Sequence, residues 1–581
     1  ASAEKSVRLR SLTPSFIAES AVTEGIPFDV FPKTPIYTYE KSRGTVLPAA
    51  DKIPYLVETK IGKGQAYFLN YRANFGRFDD AAGLVPNMPE WLADGNAPYE
   101  FYYALIARCM LQASGKLPET CLKASFGGNS GKVQISSPKA ENATLELSIL
   151  DPFLEKRMEK TIAIDLKQGD NIVELPMDMK PFRGKQLLVA HLRNGNGEIL
   201  NSGAWSFMLN PEAEIVSCTA NKNYYDCNEN ITAEVKLKGE IANLRLRLLY
   251  LDSFDRVLME KTVVPQAEQK ITFAIANPLP ARQGRVRALL FDADGTVLDR
   301  RETRMVVRPM PEALRWNDFA VGTWMNNTGL RFHLWKYQAK YMHSLGFNTL
   351  IANWDPLSVD FALFGNFEPT LLHHMGLKRC PEPPEYVKTG DKMVLVRQPC
   401  LSDEEFLQKT VKSFSQAGKI SREKVLRFVW MGDEQSITGY NGTPTDFCFS
   451  DHCLKEFRAF LQKRYGTLGK LNQEWNTSFS EWEKVFPFTK DEIWNGHAQS
   501  VAGWADHLEF MDGRLENAGK QFFSELKKQD PMARTSISGT QTPTAYGGMD
   551  WYRQTNLFDG LMNYPYGGQL EIQRSFKPDG E

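Results

Sequence analysis

The sequence has no unbroken apolar run of about 20 residues, the length that a membrane-spanning helix requires. It also lacks an excess of either charge, with 69 Lys and Arg against 70 Asp and Glu and a formal net charge of −1. A chain without a basic excess does not have the electrostatic character of a protein that binds nucleic acid or an anionic membrane surface. We therefore predict no nucleic-acid partner and no membrane association.

Cysteine is scarce, with eight residues in a chain of 581. This number is too small to indicate a disulfide framework. The chain starts at Ala1 without an initiator Met, which fits a mature end left by a signal peptidase, a cloning remnant or an internal cut. We expect a secreted or periplasmic location in preference to a cytoplasmic one.

The length exceeds what one hydrophobic core can serve, so several domains are expected. Residues 1–116 combine an apolar strand after the Gly62-Lys-Gly64 turn with helical apolar spacing over residues 100–111. A phosphate-binding loop follows a strand and opens a helix, whereas this turn precedes a strand. We therefore predict a structural turn and no nucleotide cofactor.

Residues 117–212 and 213–309 form two blocks in which apolar and polar residues alternate with period two. Turns rich in Asn, Gly and Asp separate the alternating runs. Each block has the size and pattern of an immunoglobulin-like β-sandwich. Such modules usually act as spacers, and sugar binding is the alternative.

From residue 310 to 581 the pattern changes to alternating strands and helices, which is typical of a parallel (β/α)8 barrel. The predicted barrel strands are Asp318–Trp324, Asn348–Trp354, Met393–Val396, Val425–Glu434, Arg534–Gly539 and Leu557–Tyr566. Six strands do not close a barrel of eight, and an open parallel edge leaves backbone groups unpaired. We expect a second chain, or a continuation past Glu581, to complete the barrel.

The fourth predicted strand carries the lead catalytic candidate. Val425-Leu-Arg-Phe-Val-Trp-Met-Gly-Asp-Glu434 is an apolar run that ends in a glycine and two carboxylic acids. Barrel enzymes place their reacting groups at these carboxyl ends of strands. Burial beside Asp433 would help Glu434 to hold a proton near neutral pH, as a general acid must. The alternative is an ordinary acidic loop.

The residues around this strand resemble family-42 glycoside hydrolases, the β-galactosidase group. Cys400-Leu-Ser-Asp-Glu-Glu-Phe406 precedes the strand, and a Cys-containing loop and the Tyr465-Gly-Thr-Leu…Leu471-Asn…Trp475 pattern follow it. The resemblance covers about residues 315–581. It implies a retaining mechanism on a β-linked glycoside, with Glu434 as acid and then base.

The resemblance has further implications. In the family an Asn precedes the acid and binds the sugar 2-hydroxyl, but here Asp433 stands there, and an ionised Asp accepts hydrogen bonds without donating them. The family nucleophile lies on strand seven, so we expect it beyond Glu581 and name none here. Residues 1–116 resemble the closing part of the family's flavodoxin-like trimerisation domain, which implies a homo-oligomer, in this case a trimer.

Cys448 and Cys453 match the outer positions of the family's Cys-x-Cys-x-x-Cys zinc loop, with Ser450 in the middle. A structural zinc generally needs four sulfur or nitrogen ligands. Cys400, Cys380 or His452 are the further candidates, but the spacing does not diagnose a site. We predict two packed or free thiols and no required cofactor, with zinc as the alternative.

Polar and aromatic residues at the other predicted strand ends are the candidates for contact with an oligo- or polysaccharide substrate. They are Trp324, Asn353, Trp354, Asp355, Gln541, Asn563, Tyr564 and Tyr566. The sequence thus predicts a multidomain, β-galactosidase-like retaining glycosidase. The alternative is a non-catalytic carbohydrate-binding or assembly protein with a degenerate barrel, which the Asp at position 433 would favour.

Overall fold

The structure is a computed structural model. It describes residues 9–12, 16–31, 34–37, 44–50, 53–70, 99–127, 130–176, 182–226, 229–274, 282–307, 320–324, 335–352, 356–373, 377, 380–438, 445–540, 550–564 and 568–577. The chain divides into two compact units, residues 1–305 with 327–341 and residues 306–326 with 342–581. None of the described helices is both long and apolar enough to cross a membrane.

The N-terminal region is a set of short strands followed by one helix. The elements are β1 (Leu9–Leu12), β2 (Phe16–Ile17), β3 (Thr34–Tyr37), β4 (Thr45–Val46), β5 (Pro48–Ala50), β6 (Ile53–Pro54), β7 (Leu56–Ile61), β8 (Gly64–Leu69) and α1 (Tyr99–Ala113). Strand β7 pairs antiparallel with β8 across a Gly62-Lys63 turn in which Gly62 has a φ of 63°. A two-residue turn of this kind joins only antiparallel strands, so the predicted structural turn is the tip of a hairpin.

The other described pairs in this region, β1 with β3, β2 with β5, β5 with β6 and β4 with β7, are also antiparallel. A flavodoxin-like fold is built on a parallel sheet, so the described pairing gives that prediction no support. The region shares a core with the module that follows it. Phe28, Tyr55 and Leu105 pack in one cluster with Leu187 and Ala204.

Residues 121–209 form two antiparallel sheets around one core. The strands are β9 (Cys121–Gly127), β10 (Ser130–Ser137), β11 (Glu141–Leu150), β12 (Lys156–Leu166), β13 (Gly169–Pro176), β14 (Gly184–Asn194) and β15 (Ile199–Leu209). The sheet orders are β13-β10-β9 and β12-β11-β14-β15. Val133 and Ile135 of the first sheet pack with Leu145, Leu147 and Leu188 of the second, as the period-two pattern predicts.

Residues 213–307 repeat the two-sheet arrangement. The strands are β16 (Ala213–Ala220), β17 (Tyr224–Tyr225), β18 (Ile231–Gly239), β19 (Arg245–Leu251), β20 (Val257–Val263), β21 (Glu268–Phe273), β22 (Gln283–Phe291) and β23 (Val297–Val307). Their orders are β16-β18-β21 and β17-β23-β22-β19-β20. The immunoglobulin-like classification of the two modules stays a prediction, as do the three boundaries between the four predicted domains.

A buried charge cluster joins β22 to β23 in this module. The Glu302 side chain is 4% exposed and forms ion pairs with Arg285, Arg287 and Arg300. Burial alone would raise the pKa of the Glu302 carboxyl, but the three guanidinium groups together hold it below its usual value. The carboxylate is therefore the common counter-ion of three cations.

The second unit is built on parallel strands that alternate with helices. Its strands are β24 (Gly322–Trp324), β25 (Thr349–Ala352), β26 (Glu368–Leu372), β27 (Phe428–Asp433), β28 (Thr535–Thr540) and β29 (Gly560–Asn563). The helices are α2 (Trp335–Ser344), α3 (Pro356–Phe364), α4 (Pro384–Thr389), α5 (Glu404–Lys424), α6 (Asp451–Tyr465), α7 (Leu468–Trp475), α8 (Lys490–Trp494), α9 (Ala502–Gln529), α10 (Trp551–Leu557) and α11 (Gln569–Phe576).

The strands of this unit lie side by side in chain order, from β24 to β29, and all the neighbouring pairs among the described residues are parallel. The sheet is therefore half-barrel-like, and the predicted strand–helix alternation is confirmed. The prediction of the third strand is wrong. Residues 392–394 form a 3-10 turn, and Glu368–Leu372 is the strand that pairs with β25 and β27.

Two long helices, α5 and α9, pack closely on one another. Gly418 of α5 lies so near α9 that a Cβ atom there would be 2.6 Å from the Leu526 carbonyl oxygen. Gly519 of α9 lies equally close to α10, with 2.7 Å between a Cβ atom there and Leu557 Cδ2. A side chain at 418 would meet backbone atoms of α9, and one at 519 would require Leu557 to move, which explains why residues of low helix propensity occur inside these helices.

The carboxyl group of Asp512, in α9, makes the free energy of unfolding depend on pH. Burial, together with the neighbouring Asp550 and Glu509, raises the pKa of its carboxyl to about 7 against the opposing effect of Arg553. The folded state therefore keeps a proton that the unfolded chain releases above about pH 4, so stability falls as the pH rises towards 7.

We expect Asp512→Asn to remove this loss. The variant should match the parent protein near pH 4 and exceed its unfolding free energy by about 1–3 kcal/mol at pH 8. Urea denaturation at the two pH values measures the difference. Asp165→Asn, at an exposed position of β12, is the matched control and should show no such pH-dependent gain; equal behaviour of the two variants would contradict the assignment.

Candidate functional site

Strand β27 is buried on both sides, as expected of a central parallel strand. Met431 points towards α9, since its Cε lies 3.7 Å from the Cβ position of Gly519. Trp430 packs on the opposite side with Ile351 and Leu372. Trp430 thus faces the side of the sheet away from α9, the interior of the half-barrel.

The strand ends in a backbone kink. Gly432 has a φ of 141°, which disfavours other residues, and a Cβ atom there would lie 2.5 Å from Gln435 Cγ. Glu434 follows in the left-handed region with a φ of 49°. The pairing of β27 with β28 also shifts register between Trp430 and Asp433. Together these deviations re-aim the side chains that follow the strand.

Three neighbouring strand ends meet at Glu434. The Glu434 backbone N–H donates to the Ser538 carbonyl oxygen over 3.0 Å. The Ser538 hydroxyl donates to Asp433 Oδ1 over 3.0 Å. The Tyr564 hydroxyl, just past β29, donates to Glu434 Oε1. The structure thus brings together three of the predicted site residues, Asp433, Glu434 and Tyr564. It adds Ser538, which contacts the first two because β28 pairs with β27.

An aromatic pair lies on the interior side of the same sheet. The rings of Trp324, at the end of β24, and Trp430, in β27, have centroids 6.1 Å apart and planes 74° apart. Trp324 is 38% exposed, whereas Trp430 is 5% exposed. The sequence identified Trp324 from its place at a strand end. It missed Trp430, which only the folded sheet brings against Trp324.

Several predicted site residues fall outside the described part of the chain. They are Asn353, Trp354, Asp355, Gln541 and Tyr566, together with the side chain of Asn563.

Other carboxyl groups of this region have structural positions. Asp550 caps α10 by accepting from the Arg553 backbone N–H. Asp559 accepts from the backbone N–H and the hydroxyl of Thr535. Glu571 is exposed on α11. None of these three is a partner of Glu434 in the described structure.

A thiol cluster lies beside the loop that follows β27. The sulfur atoms of Cys400, Cys448 and Cys453 are all within 4.8 Å of one another, and all three residues are buried. Cys400 Sγ is 3.5 Å from Cys453 Sγ and 3.1 Å from Ser450 Oγ. Hydrogen bonds from the Cys400 and Cys453 thiols hold the pKa of Cys448 far below its usual value. Of the further ligand candidates from the sequence, Cys400 is the residue that joins Cys448 and Cys453 in this cluster. His452 is exposed on α6.

Arg397 fixes the backbone beside this cluster. Its side chain is fully buried and donates to the carbonyl oxygens of Ile437, Pro399 and Ser436 over 2.7–2.8 Å. Its backbone N–H donates to Cys448 Sγ over 3.4 Å. The segment directly after Glu434 is thus tied to the cysteine-bearing loop through one arginine.

Comparisons with known proteins identify the same stretch of chain. The model of glycoside hydrolase family 42, described as beta-galactosidase, matches residues 400–571. A beta-galactosidase of Planococcus sp. (strain 'SOS Orange') is 29% identical over 131 residues, which are 20% of this chain and 19% of that protein. One from Heyndrickxia coagulans is 29% identical over 145 residues, 22% of this chain and 21% of that protein.

The matches thus span about a fifth of the length of these curated relatives. Among solved structures, the beta-galactosidase from Bacillus circulans sp. alkalophilus is similar at 16% identity, with 45% of this chain and 43% of that chain covered and a TM-score of 0.34. The family resemblance read from the sequence is confirmed: residues 400–571 are family-42-like.

Proposed function

We propose that this chain belongs to a retaining glycoside hydrolase that acts on a β-galactoside, and that Glu434 is its general acid/base. The observation that carries the proposal is the position of Glu434, which follows a buried central strand and meets the ends of β28 and β29 within the family-42-like stretch. A carboxyl group in this position can reach a glycosidic oxygen bound at the rim of the sheet.

The chemistry has two steps. In the first, the protonated Glu434 carboxyl gives its proton to the departing glycosidic oxygen while a second carboxylate attacks the anomeric carbon. In the second, the Glu434 carboxylate takes a proton from the water that releases the sugar. The Tyr564 hydroxyl, which donates to Glu434 Oε1, holds the carboxyl in one orientation. We name no nucleophile.

Two further groups set how the sugar is held. Trp324 is partly exposed beside the buried Trp430 and offers an aromatic face to the apolar side of a sugar ring. Asp433, whose Oδ1 accepts from Ser538, stands where the family resemblance expects an Asn. A carboxylate there accepts from a sugar hydroxyl but cannot donate to its oxygen. We infer that the preferred substrate presents a hydroxyl donor at that point.

The stereochemistry of the first product tests the proposal. We expect the full protein to release β-galactose first from an aryl β-galactoside, because two displacements at the anomeric carbon restore its configuration. Proton NMR during the first minutes of hydrolysis distinguishes the anomers. Release of the α-anomer would contradict the retaining mechanism, and galactose binding without any hydrolysis would favour a non-catalytic carbohydrate-binding protein.

We also propose that the thiol cluster holds a structural zinc ion. Sulfur ligands about 2.3 Å from a tetrahedral zinc lie slightly under 4 Å apart, and the three sulfurs here are within 4.8 Å of one another. Cys400, Cys448 and Cys453 would supply three of the four ligands. The ion would fix the loop after the acid and take no part in the reaction.

We expect about one zinc per chain by mass spectrometry of the purified protein, with Cys448→Ser reducing it below half. The variant should also lose thermal stability, because the metal binds only the folded site. Cys109→Ser, in α1, is the matched control and should keep the metal. Metal-free protein of unchanged thermal stability would contradict the proposal.

A further inference from the structure

A cavity of about 670 Å³ lies in the unit formed by residues 1–305, far along the chain from Glu434. The segment from Ile17 to Gly25 forms one wall, and residues of β9, β10, β13 and β15 form the others. This volume falls within the usual range of small-molecule sites, about 300–1,000 Å³. The cavity thus has the size of a binding site and no role in the proposed reaction.

The wall of the cavity that the sheet forms is polar, because alternate residues of β9 and β10 face opposite sides of the sheet. Leu122, Val133 and Ile135 point into the core of the module. The alternate residues Lys123 and Gln134, which are paired across β9 and β10, therefore point outwards and line the cavity. Asp170 of β13 accepts a hydrogen bond from Gln134 over 3.0 Å, so the amide and the carboxylate lie side by side in this wall.

An indole ring stands in the wall at the edge of β15. A Cβ atom on Gly203 would lie 2.6 Å from Trp205 Cη2, and one on Gly25 would lie 3.4 Å from Trp205 Cζ2. Gly25 has a φ of 63°, and its carbonyl oxygen accepts from the Ala204 N–H over 2.8 Å. Two glycines thus let the ring lie directly against the backbone, where it is held in one place.

The segment that covers the sheet face is held equally firmly. Buried Arg108 of α1 donates to the carbonyl oxygens of Ala21 and Ser202 and to Asn201 Oδ1, over 2.6–3.0 Å. The Thr23 hydroxyl donates to the Ala18 carbonyl oxygen over 2.9 Å. The cavity therefore has fixed walls on both sides, which lowers the entropic cost of binding a ligand there.

The lining chemistry selects the class of ligand. Apart from the thiol of Cys121, the ionisable groups that line the cavity are three carboxyl groups and one ammonium group, those of Glu19, Glu24, Asp170 and Lys123. The excess of acidic groups disfavours an anionic ligand. Carboxylates and an amide beside one indole match a molecule that has many hydroxyl donors around an apolar face. That combination describes a neutral sugar.

We propose that this cavity is a non-catalytic binding site for a neutral oligosaccharide, in which a sugar ring packs on Trp205 and its hydroxyls bind Gln134 and Asp170. The site gives the β-sandwich module a binding role in addition to that of a spacer. The sugar would attach the protein to its polysaccharide. The inference requires no catalytic activity of Glu434.

Isothermal titration calorimetry of the full protein tests the site, with Glu434→Gln introduced to prevent turnover. The probes are lactose, β-1,4-galactotetraose, xylotetraose and cellotetraose, with sialyllactose as the anionic probe and spermidine as the cationic one. We expect at least one neutral probe to bind. Trp205→Ala should weaken that binding about tenfold or more, and Gln134→Ala about threefold.

Trp494→Ala, at a 68% exposed position of the other unit, is the matched control and should leave the affinity unchanged. Gln134 is exposed on its strand, so Gln134→Ala keeps the test valid if Trp205→Ala fails to fold. With wild-type Glu434 restored, neither substitution should change kcat on a small aryl β-galactoside, which separates this site from the proposed hydrolase.

Three outcomes would overturn the inference. One is the absence of binding for every neutral probe up to about 10 mM. Another is binding that neither Trp205→Ala nor Gln134→Ala weakens. The third is tighter binding of spermidine than of any sugar, which would assign the cavity to a polyamine.

Discussion

Replacing Glu434 with Gln is expected to lower kcat on an unactivated β-galactoside such as lactose by about 10²- to 10⁴-fold. The amide keeps the size of the side chain but cannot give a proton to the departing oxygen. An aryl galactoside with an acidic phenol needs little protonation, so its first step should lose much less. Steady-state kinetics on the two substrates measure the contrast.

The matched control is Glu571→Gln, because Glu571 is an exposed residue of α11. It should leave both rates unchanged. Tyr564→Phe removes the hydroxyl that orients Glu434 and should lower kcat on lactose by about tenfold, the effect of one hydrogen bond to a charged group. Since Glu434 is also the base of the second step, the first step is compared through kcat/KM, and equal losses of kcat/KM on both substrates in Glu434→Gln would show that Glu434 is not the acid.

The second large effect concerns stability. Glu302→Ala is expected to lower the unfolding free energy of its module by about 2–3 kcal/mol, because it removes the one carboxylate that Arg285, Arg287 and Arg300 share and leaves the first two to Asp255 alone. The three guanidinium side chains are only 7–15% exposed, so water does not readily replace the carboxylate. Denaturant unfolding followed by circular dichroism measures the loss.

A pH series adds an independent readout. Since the three arginines hold the pKa of Glu302 below its usual value, the stabilisation is present above the unfolded pKa and is lost as the pH falls through the folded one. The variant should therefore approach the parent protein in acid. Glu260→Ala breaks the exposed pair with Arg247 and should cost less than about 1 kcal/mol. Similar losses in both variants would refute the shared counter-ion.

The local pattern of apolar and polar residues predicts those helices and strands whose buried positions recur at a regular spacing. The run from Val425 to Glu434 was recognisable because a strand buried on both faces is apolar throughout and then ends in polar residues. The third strand was misplaced because Glu368–Leu372 is short and contains a proline, while Met393–Val396 is a more apolar run. Apolar content alone does not distinguish a strand from a packed 3-10 turn.

The candidate site shows the same division. Glu434 could be named from its own neighbours in sequence, whereas Ser538 and Trp430 required knowledge of which strands lie side by side. The thiol cluster joins Cys400 to Cys453, 53 residues later, and no local spacing encodes such a contact. The cavity at Trp205 forms because a segment near residue 20 packs over a sheet whose strands begin more than 100 residues later in the chain. Sequence motifs are local and do not predict a contact over such a separation.

The close approach of α5 to α9 has a practical consequence for anyone who engineers this chain. Positions 418 and 519 lie inside helices, and any programme that raises helix propensity would place alanine there. A methyl group at position 418 would lie 2.6 Å from the Leu526 carbonyl oxygen and push α5 away from α9, whereas one at position 519 would lie 2.7 Å from Leu557 of α10 and displace that side chain. A mutational library should therefore keep both glycines and place its stabilising changes elsewhere on the two helices.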